Sequence, residues 1–276
     1  MIRPATRADL PQIRDLFARA NDAPYDLTRV AEEKCFGAGV AGQPQVRIYG
    51  DFAGVSVTCG RWLRILAVDR AMRGRGIGTA LLRDAEARGA RAIGAEAGNY
   101  FIPGVVEGQE QWFVKRGYME TARTQNLETT TLPEHAGHRT PDAERDRVLA
   151  FIERHFGKIW RFEAARGILF HAEDRGEITA FAAHEANNRG LGFFGPTGVA
   201  RKHRGKRIGW QLLHACLADA RRLGYQRVVI PWTDAISYYE KGCGARIAHR
   251  FVVLRRISAS AAAHDEHGFG SENREA

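Results

Sequence analysis

The chain carries one segment twice. Leu66-Ala67-Val68-Asp69-Arg70-Ala71-Met72-Arg73-Gly74-Arg75-Gly76-Ile77-Gly78 aligns without a gap to Thr197-Gly198-Val199-Ala200-Arg201-Lys202-His203-Arg204-Gly205-Lys206-Arg207-Ile208-Gly209. Val68 meets Val199, Arg73 meets Arg204 and Gly78 meets Gly209, each at an offset of 131 residues. Repetition at that period means that a whole domain recurs. A chain of 276 residues suits two such domains, at about 100–150 residues each.

The flanks repeat too. Each half opens on a helix start: Thr6 with Asp9 three residues on, and Thr140 followed by Pro141 and Asp142. A threonine cap, a first-turn proline and early acidic residues all suit a helix N-terminus. A Gly-turned hairpin follows in each half, around Gly50-Asp51-Phe52-Ala53-Gly54 and around Glu173-Asp174-Arg175-Gly176. After each repeated loop the apolar residues fall at helical spacing: Ile77, Leu81, Leu82 and Ala85, then Ile208, Leu212, Leu213, Cys216 and Leu217. A short strand and a helix ending near Gly117 or Gly244 complete each half. The expected division is a domain over 1–131, a polar linker over 132–139, a domain over 140–258 and an unstructured tail over 259–276.

No apolar run approaches the roughly 18 residues of a membrane span. The N-terminus has no apolar segment of a secretory signal, and Cys35, Cys59, Cys216 and Cys243 form no CxxC pair. A cytoplasmic location with reduced thiols is expected. The histidines show no ligand spacing, so no metal is expected. Lys and Arg number 41 against 32 Asp and Glu, a net charge of +9. That excess points to an anionic partner, a phosphorylated cofactor or a nucleic acid. It is arginine scattered along both halves, with no Lys-rich or aromatic-interleaved stretch, which disfavours nucleic acid.

A strand, a Gly-rich turn and a helix N-terminus together make an anion site. The first helical N–H groups lack intrahelical partners and the helix dipole is positive there. Glycine lets the backbone approach a phosphate with no Cβ in the way, and Arg73 and Arg75 add charge. The spacing is neither GxGxxG nor GxxxxGK[ST], which sets aside dinucleotide and Walker loops.

Val68-x4-Arg73-x-x-Gly76-x-Gly78 resembles the Q/R-x-x-G-x-G/A pyrophosphate signature of the GCN5-related N-acetyltransferases, or GNAT family. The resemblance covers the chain from Ile2 to about Arg256, and in the second half Arg207 stands at the first signature glycine. Gly98-Asn99-Tyr100-Phe101 and Phe194-Gly195-Pro196-Thr197 look like a bacterial two-domain subgroup, similar to kasugamycin-type aminoglycoside 2′-N-acetyltransferases.

The resemblance implies an α+β fold in three α/β/α layers, two tandem domains each with a mixed, mostly antiparallel sheet. It implies acetyl-CoA held in a gap between splayed fourth and fifth strands. Carried over, the cofactor contacts are Leu66, Ala67, Val68, Arg73, Gly74, Arg75, Gly76, Ile77, Gly78, Thr79 and Asn99, with Val199, Arg204, Gly205 and Gly209 in the second half. The family's acid is the tyrosine of a Phe-Tyr pair: the first half has Trp112-Phe113 there, the second Tyr238-Tyr239, placing Tyr239 as the acid. Glu96, at the end of the fifth strand, is the candidate general base. Asp22, Asp26 and Glu33 lie where the family binds its acceptor and would suit a cationic amine; Trp232 and Tyr238 could stack on a sugar.

The first half is therefore expected to bind the cofactor, so that Gly76→Arg abolishes transfer and Gly209→Arg spares it. The expected function is acetyl transfer to a small cationic amine, an aminoglycoside in the sharper version, by a monomer or homodimer. A protein lysine or N-terminus is the alternative acceptor. A non-catalytic module that senses acyl-CoA or binds nucleic acid is the alternative class.

Overall fold

The protein is described from a computed structural model, over residues 1–20, 22–134 and 137–256. The tail expected over 259–276 lies outside these residues, as do positions 135 and 136 of the expected linker. In the first half the elements are β1 (Ile2–Pro4), α1 (Leu10–Ala20), α2 (Ala31–Phe36), β2 (Gln45–Tyr49), β3 (Gly54–Cys59), β4 (Trp62–Val68), α3 (Ile77–Ala87), β5 (Ala92–Ile93), β6 (Val105–Val106), α4 (Gln111–Val114) and β7 (Tyr118–Thr129). The second half follows with α5 (Asp142–Phe156), α6 (Lys158–Ala164), β8 (Ile168–Asp174), β9 (Glu177–His184), β10 (Phe194–Val199), α7 (Ile208–Arg222), β11 (Val228–Ile230), α8 (Ile236–Cys243) and β12 (Arg246–Arg256).

Both hairpins stand where the turn glycines place them, β2–β3 and β8–β9. Thr6 and Asp9 form a capping box, although the first turn is a 3-10 turn that runs into α1. Thr140 does not cap α5. The N-cap is Pro141, and the Thr140 hydroxyl is drawn instead to His171 Nδ1 at 2.9 Å.

The halves exchange their last strands. Among the described residues nine strands form one sheet in the order β1-β2-β3-β4-β5-β12-β7-β11, with β6 also on β12; β10-β9-β8 form a second. β12, from the end of the chain, pairs with β5 of the first half (Leu254 opposite Ile93), while β7, from the first half, pairs with β11 (Val228 opposite Thr129). The two long strands run antiparallel against each other from Arg246–Glu128 to Arg256–Tyr118. Each therefore covers an edge that the other half would leave open.

The cores follow the exchange. Phe251 of β12, Phe193 and Val229 pack with Ile13, Leu16, Phe17, Val55 and Phe101 of the first half. Val252 and Leu254 pack with Leu63, Leu82 and Ile93. α7 and α8 cover the second sheet through Leu213, Leu217 and Tyr239.

Candidate cofactor gaps

Both halves build the same gap. In the first, β4 and β5 run parallel but touch only at Trp62–Ala92 and Leu63–Ile93, and then part. Asp69 donates its backbone N–H to Ala53 at 3.0 Å. Antiparallel pairs alternate between bonded and non-bonded, so with Ala67 opposite Val55 the N–H of Ala67 faces β3. Those of Leu66 and Val68 point the other way, into the gap. In the second half the parallel contact is Phe193–Val229. Ala200 donates to Thr179 at 2.9 Å, which turns the N–H groups of Thr197 and Val199 into the corresponding gap.

The loop after β4 has the shape that its glycines allow. Gly74 sits at φ +78° and Gly76 at φ +80°, and a Cβ at either would meet no atom within 4 Å. Gly76 caps α3 in the left-handed conformation. Because Ala80 is the first residue to donate back, to Gly76 at 2.9 Å, the N–H groups of Ile77, Gly78 and Thr79 are left for an anion. The second loop repeats this backbone with a different residue: Gly205 at φ +80° and Arg207 at φ +60°, the latter capping α7. Holding an arginine there costs about 1–2 kcal/mol relative to an unstrained conformation. The cradle thus survives in outline, with a Cβ and a guanidinium added at the position that is open beside Gly76.

The arginines of the first loop divide. Arg73 is a brace: it donates to the Val68 carbonyl (3.3 Å) and the Ala20 carbonyl (2.9 Å), and pairs with Asp22 at 2.7 Å. Arg204 makes the same contact to Val199 at 3.3 Å. Arg75 is exposed and has no partner among the described residues, so it is the side chain of the loop left to face a phosphate. Thr79 accepts from Arg116 at 3.0 Å, and Arg116 lies 3.8 Å over the Trp112 ring.

Each closing glycine abuts the helix that holds the aromatic pair. A Cβ on Gly78 would lie 3.3 Å from the Trp112 ring, and one on Gly209 would lie 2.6 Å from Tyr238 Oη. Tyr238, half-buried, is the tyrosine against the second loop. Tyr239 is buried in the core, edge-on to Phe194 where β10 leaves β11, and burial raises its phenol above the ordinary range.

The residues expected to face an acceptor are occupied within the protein. Asp22 pairs with Arg70 and Arg73, and Asp26 accepts from the Thr28 backbone at 2.9 Å. Glu33 reaches across the seam to Arg166 (3.1 Å) and to the backbone N–H groups of Asn188 and Arg189. Burial alone would raise its carboxyl, but Lys34 and Arg166 hold it below the usual range. Asn99 is fully buried, donating to the Glu33 and Gly37 carbonyls and accepting from Lys34 at 2.8 Å. Glu96 is buried and clasped by Arg64, whose Nε lies 3.1 and 3.0 Å from its two oxygens. Trp232, 39% exposed, stands edge-on to Tyr100 of the first half.

Two features carried no sequence signal. Lys34 sits in the run Glu32-Glu33-Lys34, which reads as a solvated helix edge, yet its ammonium is wholly buried among Glu33, Asn99 and Asn187. Burial brings it down to about 7, against the pull of Glu33. Glu144, His171 and Glu173 lie within 4.8 Å of one another, but Arg147 pairs with Glu144 and Glu173, at 2.5 and 2.6 Å. Arg147 thus sets one positive charge against the two carboxylates. Among the described residues no helix is long and apolar enough to cross a membrane.

The profile of the Acetyltransferase (GNAT) family matches residues 7–101 and again 123–245. The chain belongs to the GNAT family. It is an acyltransferase by family, with two GNAT units in tandem. No curated protein sequence matches it. Among solved structures it is similar to a GCN5-related glucosamine N-acetyltransferase region of a fungal multi-domain β-N-acetylglucosaminidase, with TM-score 0.73 and 16% identity over 92% of this chain. The match spans 38% of that fungal chain. A GCN5-related N-acetyltransferase of Sphaerobacter thermophilus matches at TM-score 0.63 and 19% identity, covering 92% of this chain and 94% of its own. A tandem GNAT protein from the clavulanic acid biosynthesis pathway matches at 0.61 and 17%, covering 92% and 97%. At such identities the likeness is one of fold.

Proposed function

We propose that the first half binds acetyl-CoA and that the protein transfers the acetyl group to a primary amine of a small molecule. The observation that carries this reading is the complete cradle at Gly74 and Gly76, open where a Cβ would stand. The donor set fits the cofactor. The N–H groups of Ile77, Gly78 and Thr79, with Arg75, suit a diphosphate, and those of Leu66 and Val68 suit an extended amide chain and a thioester oxygen. Acetyl-CoA, when bound, supplies the activated thioester. A preorganised backbone donor at the oxygen where charge develops is worth about 3 kcal/mol. Trp112 and Phe113 offer no acid, but a thiol with an ordinary pKa of about 8.5 leaves as the thiolate without one. Glu96 is bound on both oxygens by Arg64, so its better role is to fix the point where β4 and β5 part. The acceptor amine then loses its proton to solvent before attack.

One observation favours a second reading, in which the second half does the chemistry. Arg207 keeps the left-handed cap, and Tyr239 stands where β10 and β11 part. Thiol release from acetyl-CoA tests both readings, with a panel of kasugamycin, other aminoglycosides, glucosamine and lysine peptides. Turnover with an amino sugar supports the small-molecule acceptor, and turnover with peptides alone replaces it by a protein acceptor. No thiol release with any amine, together with salt-sensitive DNA binding, would contradict the enzyme reading.

A further inference from the structure

Solvent is where the acceptor's proton ends, and the seam between the halves holds a group placed to take it first. The carboxylates expected at the first gap are already bound. Asp22 is shared by Arg70 and Arg73, Glu33 by Lys34 and Arg166, and Glu96 is clasped by Arg64. Asp26 accepts from the Thr28 amide and hydroxyl. A carboxylate held by a cation is a poor proton acceptor, because the opposite charge favours its ionised form. Glu163 of α6 differs. It is half-buried and makes no ion pair among the described residues, and the donor set against it is the Gly98 amide. Neither of its oxygens is both buried and unpaired. Glycine is what lets α6 come so near: at Gly98, φ +88°, a Cβ would lie 3.0 Å from the Phe162 ring. Gly98 stands two residues beyond Glu96, a reach of at most about 7 Å. Arg64 of β4 holds Glu96 at the point where β4 and β5 part. Two hydrogen bonds of about 3 Å each span most of that reach, so an ammonium at the gap meets Glu163 through one water. Burial moves Glu163 up to about 7, against the Gly98 amide and the charges of Lys34 on α2 and Arg166 after α6, with the buried Tyr100 phenol also near it. A base tuned near the working pH is the effective one.

We propose that Glu163, carried on α6 by the second half, is the base that takes the acceptor amine's proton at the first gap. The role rests on acetyl transfer by the first half. An N–H bond of the acceptor ammonium breaks, and its proton passes to the Glu163 carboxylate and on to solvent. The freed lone pair forms the C–N bond at the thioester carbonyl, and the C–S bond breaks. The departing thiolate takes the second proton that the nitrogen releases. Each half then supplies one part of the reaction, the first the cradle and the second the base.

The test is thiol release from acetyl-CoA by the full chain, with the same panel of aminoglycosides, glucosamine and lysine peptides, across pH 5.5–9. Wild-type kcat should rise with pH through about 7. Glu163→Gln keeps the shape of the neutral side chain that burial favours, so the fold stays. Its kcat should fall at least about a hundredfold at pH 7.5, and the step near 7 should vanish. Acetyl-CoA affinity by calorimetry should not change, and Glu163→Asp, which keeps a carboxylate, should recover part of the rate. Lys34 also lies at about 7, so a step that persists in Glu163→Gln belongs to Lys34 and overturns the proposal. An unchanged kcat, or a loss of rate matched by an equal loss of acetyl-CoA affinity, overturns it too. No thiol release by wild type with any amine would instead overturn the enzyme reading, and this role with it.

Discussion

Phe251→Ala probes the strand exchange. Phe251 belongs to the last strand of the chain, yet it is wholly buried among Ile13, Leu16, Phe17 and Val55 of the first half. Its truncation removes a buried aromatic ring and leaves a cavity, at a cost of about 3–5 kcal/mol. With a urea dependence of about 3 kcal/mol per molar for a chain of this size, the midpoint should fall by about 1–1.7 M. The direction is common to any core residue; the location of the effect is the test. Unfolding followed in one variant that keeps only Trp112, and in another that keeps only Trp210, reports on α4 of the first half and α7 of the second. The exchanged sheet makes both probes fall together, because β12 is shared by the first-half core and by β7. A loss confined to the Trp210 probe would mean that β12 serves its own half, and the reasoning would fail.

Other outcomes follow from buried charges. Glu163 is pushed up to about 7 by burial, against the Gly98 amide and the Lys34 and Arg166 charges. The native state thus keeps a proton that the unfolded chain releases above its ordinary 4.5. Its contribution is complete below that pH and lost as the pH rises through 7, so wild type should lose up to about 3 kcal/mol relative to Glu163→Gln over this window. Urea midpoints at both ends check it, and parallel profiles would contradict it. Breaking the buried Arg64–Glu96 pair by Glu96→Gln should cost about 3–5 kcal/mol, whereas Arg64→Met with Glu96→Leu should recover most of that. Equal losses in the single and double variants, by the same denaturation, would contradict that account.

Much of the fold was legible because it rests on local physics. The repeat, the hairpin glycines and the left-handed positions of the loop all act within a few residues. The strand exchange was not legible. The patterns of Tyr118–Thr129 and Arg246–Arg256 say that each is a strand, but not which neighbour it pairs with. Charged residues misled for a related reason. Asp22, Asp26 and Glu33 look like free carboxylates until the fold brings Arg73, the Thr28 amide and Arg166 to them. Arg73, expected at a phosphate, also reaches Asp22 and the Ala20 carbonyl, contacts that its position in the sequence does not announce. Lys34 shows nothing in sequence, since its acceptors Asn99 and Asn187 are far along the chain.

The central claim is that the first loop is the competent acetyl-CoA cradle. Gly209→Arg is a poor control, because a Cβ there would lie 2.6 Å from Tyr238 Oη. Exchanging the loops' own difference is cleaner. Gly76→Arg gives the first loop the second's residue, at a position where a Cβ meets nothing, and Arg207→Gly does the reverse. Calorimetric titration with acetyl-CoA should show binding in wild type and in Arg207→Gly, and loss of it in Gly76→Arg. Undiminished binding in Gly76→Arg would contradict the account and move the cofactor to the second half.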